Sequence, residues 1–364
     1  MGPTSRPSRR SRGAVTIDDV ARAAGVSAMT VSRVINGGRN VRDSTRAAVQ
    51  EAVQQLNYAP NSAARSLAAG ESAQVGLLYA NPSAAYLSQF LIGALGAAKR
   101  LGAHLQLESC VSDDPDEQAE VTRRLATSDV DGFVLPPPLS ESKPILAELE
   151  AIDLPVVTLS FAPPQDSGLN VRIDDCEAAL EMTRYLIGLG HRRIGFIKGH
   201  PNDIASADRH QGFLKALEEA GLDAADQPIE QGYFTYRSGL AATERILSGA
   251  QLPTAIFASN DDMAAAAVSV AHRRGLQVPR DISVVGFDDT AVATTIWPEL
   301  TTVRQPIADM ADAALELLMS DLKRRRAGSK RRGAERVLAH ELVVRESSGP
   351  PPAPRKPARR SRSA

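Results

Sequence analysis

Apolar and polar positions along this 364-residue chain follow one period up to about residue 70 and another beyond it. Ile17, Val20, Ala21 and Ala24 recur at helical spacing, and Val31, Val34 and Ile35 do so again. Thr16 with Asp19 three residues on forms a capping box for the first of these helices. Gly25 stands where a helix stop needs positive φ, Val26 turns the chain inward, and Ser27 caps the second helix. A third helix is predicted from about Ser44 to Asn57, with Val49, Val53 and Leu56 as its apolar stripe and Tyr58 and Pro60 at its end. Asn61 then caps SAARSLAA, a stretch stopped by Gly70 and too short to be a stable helix alone in water. From Gln74 onward, apolar runs alternate with amphipathic stretches. VGLLYA, LQLES, GFVLP, PVVTLS, RIGFIKG, AIFAS and ISVVGF read as strands; 84–101, 203–220, 261–274 and 306–324 read as helices. That alternation predicts an α/β class with parallel sheets covered on both faces.

Composition sharpens this only at the ends. The apolar share of 43% is that of a globular chain with room for two or three domains. The net charge of −1 hides an asymmetry. Before Gly70, Arg6, Arg9, Arg10, Arg12, Arg22, Arg33, Arg39, Arg42, Arg46 and Arg65 face only Asp18, Asp19, Asp43 and Glu51. A basic head on a more acidic body suits a polyanion partner for the head alone. Residues 1–13 and 348–364, rich in Pro, Ser and Arg, are expected to be disordered, the first as a basic arm. Two cysteines, Cys110 and Cys176, give neither a disulfide framework nor a metal site, so no metal and no cofactor are expected. No apolar run follows the Arg-rich start and none reaches membrane length. The expectation is a cytoplasmic chain with no membrane partner.

Motifs for catalysis are scarce: there is no phosphate-binding Walker loop, no GxSxG and no HExxH. GFIKGH lacks phosphate-loop spacing. Acid pairs occur in VRIDD, SNDD and VVGFDD, each after an apolar strand. Helix capping explains many such acids; ligand binding at the carboxyl ends of strands explains others. The outward face of the second helix carries Ala28, Met29, Thr30, Ser32, Arg33 and Asn36, a small, polar and basic surface suited to a DNA major groove. These patterns leave an enzyme using the acid pairs, or a sugar-binding module without a regulatory role, as rival readings.

GVSAMTVSRVINGG at 25–38 and LNYAPNSAARSLAAG at 56–70 resemble the DNA-binding headpiece of the lactose-repressor (LacI/GalR) family of bacterial helix-turn-helix transcription regulators. The resemblance implies an all-α headpiece over 14–59, a hinge helix over 60–71 and a two-lobed periplasmic-binding-protein-like core over 72–347. Lobe 1 would take about 72–172 and 305–328, and lobe 2 about 173–303 and 329–347. The three crossings between lobes would fall near 172–174, 302–305 and 325–335. It places Ala28 and Met29 at the base-reading positions. Arg33 is the long donor for a guanine. Ser27, Thr30, Ser32, Asn36 and Tyr58 suit phosphates, with Thr16 and Asn61 at helix starts joining that surface. Leu67 takes the position of a minor-groove wedge, and Ala64 allows close approach. In the body, the family pattern puts Tyr86 or Leu87, Arg209, Phe234, Asn260, Asp288 and Gln305 around an effector. Ser160–Phe161 stands where some sugar-binding members carry an acid. The implied function is a repressor that binds a pseudopalindromic double-stranded operator as a homodimer. Its small-molecule effector would be a sugar, with a purine or a protein co-regulator as the alternatives. The tail lacks the heptads some relatives use to tetramerise.

Overall fold

The computed structural model describes residues 17–35, 42–56, 73–160, 168–329 and 333–353. It divides into a small unit, residues 1–72, and a large one, residues 73–364.

The small unit is three helices: α1 (Ile17–Ala24), α2 (Ala28–Ile35) and α3 (Asp43–Gln55). Val20, Val31 and Val49 are completely buried where the helices meet, with Ala21, Val34 and Ala52 beside them. The turn between α1 and α2 follows from its residues. Gly25 adopts φ +65°, a left-handed conformation that a Cβ would oppose. The Val26 N–H then donates to the Ala21 carbonyl at 3.0 Å, which ends α1 and points Val26 at the core. The Ser27 hydroxyl accepts from the Thr30 N–H at 3.2 Å and starts α2.

The large unit opens with β1 (Gln74–Tyr79), α4 (Ala84–Leu101), β2 (His104–Ser109), α5 (Pro115–Ala126), β3 (Gly132–Leu135), α6 (Lys143–Ala151), β4 (Val156–Leu159) and β5 (Leu169–Arg172). It continues through α7 (Asp175–Gly188), β6 (Ile194–Lys198), α8 (Ile204–Glu219), β7 (Ile229–Gln231), α9 (Tyr236–Ile246), β8 (Ala255–Ala258), α10 (Asp261–Arg273), β9 (Ser283–Val285) and α11 (Ala291–Thr295). It closes with β10 (Thr302–Arg304), α12 (Ile307–Arg326), β11 (Ala334–Val337) and β12 (Glu341–Val343). One six-stranded sheet has the order β11-β5-β4-β3-β1-β2 and one four-stranded sheet the order β7-β6-β8-β9. Every pairing within these two sheets is parallel. β10 and β12 form a separate antiparallel pair. The two parallel sheets are the cores of the two lobes. Their central strands are buried along their length, as in Phe133–Leu135 and Ile256–Ala258. Continuous apolar runs are what a sheet covered on both faces requires.

Helices pack tightly where glycine permits. A Cβ at Gly93 on α4 would stand 2.2 Å from the Ala308 carbonyl of α12; one at Gly212 on α8 would stand 2.1 Å from the Cys176 carbonyl of α7.

Two boundaries differ from the sequence reading. The third crossing does not fall within 325–335, and 329–347 is not wholly in lobe 2. Residues 334–337 add β11 to the first sheet, in register Ala334↔Leu169 through Val337↔Arg172. The chain leaves that lobe only at 338–340. β11 is an exposed edge strand, AERV, fastened by an Arg172–Glu335 ion pair at 2.7 Å, so its sequence reads as a loop. The ordered body also runs past 348, through residue 353. Tyr185 and Ser348 hydroxyls meet at 2.9 Å, and the Gly349 carbonyl lies 2.9 Å from His191 Nε2. Residues 354–364 and 1–13 lie outside the described residues.

Candidate functional site

The small unit and the large unit each carry one. On α2, Met29 is 66% exposed and Arg33 is exposed, while Ala28 and Thr30 are half-buried. The Ser27 and Thr30 hydroxyls lie 2.9 Å apart, so both also serve the start of the helix. Ser32 lies on α2 between Val31 and Arg33. Thr16, Asn36, Tyr58, Asn61, Ala64 and Leu67 lie outside the described residues.

In the large unit a cavity of about 290 Å³ lies between the two lobes, at the carboxyl ends of both sheets. Open parallel sheets place ligand clefts there. Tyr86, Arg209, Phe234, Asn260, Asp288 and Gln305 all line it. Leu87 does not; one residue along a helix turns a side chain about 100° from its neighbour, and Tyr86 takes the inward position. The tail of β4 contributes Ser160.

Arg209 is the centre of this site and is 5% exposed. Its Nε donates to Asp175 Oδ1 at 2.8 Å and its Nη1 to the Ser259 carbonyl at 2.6 Å. The same Nη1 is 3.7 Å from Asp288 Oδ1. Its guanidinium lies 3.7 Å from the centre of the Phe287 ring and 5.8 Å from that of Phe234. Gln305 Nε2 donates to Asp288 Oδ1 at 2.5 Å. Burial pushes the Asp288 carboxyl up to about 7, with Arg209 and Gln305 opposing.

Asn260 has a clear structural duty as well. Its Oδ1 caps α10 by accepting from the Met263 N–H at 3.0 Å, and its Nδ2 donates to the Phe234 carbonyl at 2.9 Å. That second bond secures a loop held against its preference, since Phe234 sits at φ 59°. Ser160 at 61° and Asp288 at 113° share this rare region and line the same cavity. Strained non-glycine backbone of this kind costs on the order of 1–3 kcal/mol per residue and gathers at binding sites.

Three residues that matter here were not among the effector residues that the sequence reading named. Asp175 ends VRIDD and is the main partner of Arg209. Asp203 caps α8, accepting from the Ser206 N–H at 3.0 Å, and lines the cavity. Glu141, from lobe 1, accepts from the Ile204 N–H at 3.0 and 3.1 Å and so caps a helix of lobe 2. A second tie between lobes runs from the Ser83 hydroxyl to Asp262 Oδ2 at 2.6 Å. The only signal in the chain was position: each of these acids precedes or opens a helix, or sits in a loop after a strand.

Glu141 gives a test of the tie. Burial, then the neighbouring Asp203, push its carboxyl from 4.5 up to about 8. A raised carboxyl binds a proton in the folded chain that the unfolded chain has lost. Its contribution to stability is complete below 4.5 and disappears as pH rises through about 8. Glu141→Gln retains an oxygen acceptor for Ile204 and should flatten the fall of melting temperature across that window. Parallel profiles for the two proteins would refute it.

Among the described residues, no group of histidine, cysteine, aspartate and glutamate could hold a metal ion, and no helix is long and apolar enough to cross a membrane.

Comparison with known proteins identifies the family. Residues 16–61 match the model of bacterial regulatory proteins of the lacI family, and residues 183–348 that of a periplasmic binding protein-like domain. Catabolite control protein A of Priestia megaterium is 34% identical over 92% of this chain and 99% of its own length. The HTH-type transcriptional repressor PurR of Serratia proteamaculans (strain 568) is 36% identical over 92% of this chain and 96% of its own. Among solved structures, a complex of the transcriptional regulator CelR with cellobiose is 32% identical with a TM-score of 0.70, covering 92% of this chain and all of that one. The lac repressor dimer bound to operator and the anti-inducer ONPF is 27% identical with a TM-score of 0.68, covering 93% of this chain and all of the other. A three-helix head, a two-lobed body with a polar cleft, and full-length likeness to such regulators lead to one conclusion: this chain belongs to the lacI family of bacterial regulatory proteins, DNA-binding transcription regulators that are not enzymes.

Proposed function

We propose that this regulator represses transcription as a homodimer on a pseudopalindromic operator and responds to a small, sugar-like molecule held in the cleft. The observation that carries the ligand reading is the convergence of Arg209, Asp288, Asn260, Gln305 and an aromatic face, Phe234, on one cavity. Sugar hydroxyls donate to carboxylates, accept from guanidinium and amide groups, and stack a C–H face on an aromatic ring. The CelR–cellobiose complex, so similar in fold, supports the same class. A second copy of the chain fits the outer face of α4, where Ile92 and Leu95 are exposed. Leu107 of the edge strand β2 is exposed too; it shares the sheet face of Leu105, which packs on the core beneath α4.

The switch follows from lobe ties such as Glu141 on Ile204 and Ser83 on Asp262. A ligand that fits one lobe arrangement better shifts the population toward it; tenfold discrimination is about 1.4 kcal/mol per site. We propose that residues 60–71 relay that change to the head. The test is a genome-wide selection of bound DNA with the purified protein, repeated with sugars and nucleosides. A palindromic site whose occupancy depends on a sugar is the expected result. Dependence on a nucleoside would move the ligand class to purines, and indifference to both would point to a protein co-regulator.

On the DNA side, Arg33→Ala should cost on the order of 1–3 kcal/mol of operator binding and relax preference at one base pair. Titration of the selected site with wild type and variant measures it; equal affinity would remove Arg33 as a base reader.

A further inference from the structure

The charge arrangement of the cleft bears on which small molecules it accepts. Among the described residues, three aspartates line it, Asp113, Asp203 and Asp288, against one arginine, one histidine and no lysine; the histidine, His200, has its Nδ1 engaged as acceptor of the Asn202 N–H at 3.2 Å. Arg209 is no free cation. Its Nε and Nη1 already serve Asp175 and the Ser259 carbonyl, and Asp288 stands beside it. The charge of Arg209 is thus shared with two acids already in place, so a phosphate or carboxylate entering here would meet more carboxyl groups than cations.

Helix N-termini are the other seats an anion could use. Four helices begin at this cavity: α4 after Ser83, α8 after Asp203, α9 after Thr235 and α10 after Asn260. At each one an oxygen of the protein is already seated. Ser83 accepts from the Tyr86 N–H, Thr235 from the Ser238 N–H and Asn260 from the Met263 N–H. At α8 the seat is doubly taken and by carboxyl oxygens, Asp203 on the Ser206 N–H and Glu141 on the Ile204 N–H.

What the cavity lacks is the complement of an acid. Asp203 and Asp288, when ionised, present only lone pairs to it, and these take hydrogen-bond donors. The Tyr86 hydroxyl is fully buried at the same cavity without a partner, and burial, with Asp288 beside it, keeps it protonated. It is a neutral group able to donate to or accept from a ligand hydroxyl. A polyol supplies many donors and no charge; a phosphate monoester supplies acceptors and negative charge.

We infer that the cleft selects uncharged, hydroxyl-rich ligands and rejects their phosphorylated or carboxylated counterparts. This rests on the reading of the cavity as a small-molecule site. Like charges brought together without compensation weaken binding severely, so each anionic probe should bind about a hundredfold more weakly than its neutral parent.

The experiment is calorimetric titration of the full chain with matched pairs: glucose and glucose 6-phosphate, ribose and ribose 5-phosphate, cellobiose and cellobionate. Binding of a neutral member with loss of about a hundredfold for its anionic partner is expected. An anionic member that binds as tightly as its parent, or more tightly, overturns the selection rule while leaving the small-molecule reading intact. Heat from no member of any pair, with melting temperatures likewise unmoved, overturns the sugar reading of the cavity and the rule with it. Asp203→Asn supplies the second arm, because an asparagine oxygen can keep the α8 cap while one negative charge is lost. The ratio of neutral to anionic affinity should fall by about tenfold in this variant. An unchanged ratio would show that the carboxylates are not the source of the discrimination.

Discussion

Arg209→Ala is expected to lower the stability of the body by about 3–5 kcal/mol, besides abolishing the response to ligand. The magnitude follows from what the arginine leaves behind. Asp175 and Asp288 are each buried, and both face the guanidinium. Without it, two carboxylates share an apolar setting with no counter-charge, and the Ser259 carbonyl loses its donor. Equilibrium denaturation of the full chain measures the loss. Pairing the variant with Asp175→Asn closes a double-mutant cycle, in which the second change should restore a large part of the stability. Additive losses would show that the two side chains act independently. Arg209→Lys separates folding from recognition: it keeps a charge near both acids, gives up the planar fork and the stacking on Phe287, and should therefore fold yet respond poorly.

Asp261→Ala should cost about 2–4 kcal/mol. Asp261 was one of the acids that the chain offers in pairs, but its position is that of a pin. It is 1% exposed, and its two oxygens accept from the Thr290 N–H at 2.8 Å, the Thr290 hydroxyl at 3.2 Å and the Thr302 hydroxyl at 2.7 Å. It thereby ties the start of α10 to the loop after Asp288 and to β10, the strand that leads to Gln305. Burial and the nearby Asp288 push this carboxyl well up, toward its neutral form. Asp261→Asn, close in shape to a protonated acid, should cost distinctly less than alanine. Equal losses for the two would mean that packing rather than hydrogen bonding sets the value. Because the pin holds Asp288 and Gln305 in place, ligand affinity should fall in Asp261→Ala even at temperatures where it remains folded.

The chain announces its fold most clearly where burial is complete. GFVL and AIFA read as strands because both faces of each are covered, and the helix predicted over 84–101 stands at those bounds. The strands not foreseen are those whose sequence answers to more than one demand. In β5 the apolar run is interrupted by Asn170, a buried amide that donates to the Thr158 carbonyl at 3.3 Å. β7, β11 and β12 are short or at edges, with charged residues facing water, and such sequences look like loops. The cleft was legible as a set of residue types on strand ends, and six of its residues do line one cavity. What the chain does not display is who holds whom. Nothing in VRIDD says that Asp175 lies 2.8 Å from Arg209, thirty-four positions away, or that Glu141 of one lobe caps a helix of the other.

The late return of the chain to the first sheet bears on how the protein is made. The head is complete once its third helix has emerged from the ribosome. Neither half of the body is. The first half waits for α12 and for β11 to settle beside β5, and the second waits for β12. Throughout most of translation a finished head therefore precedes a body whose apolar faces are open, which is the condition in which chaperones bind and proteases cut. A message broken before codon 334 would release a chain with both halves unfinished, so late nonsense mutations in this gene should act through loss of the protein from the cell rather than through a stable, ligand-blind product.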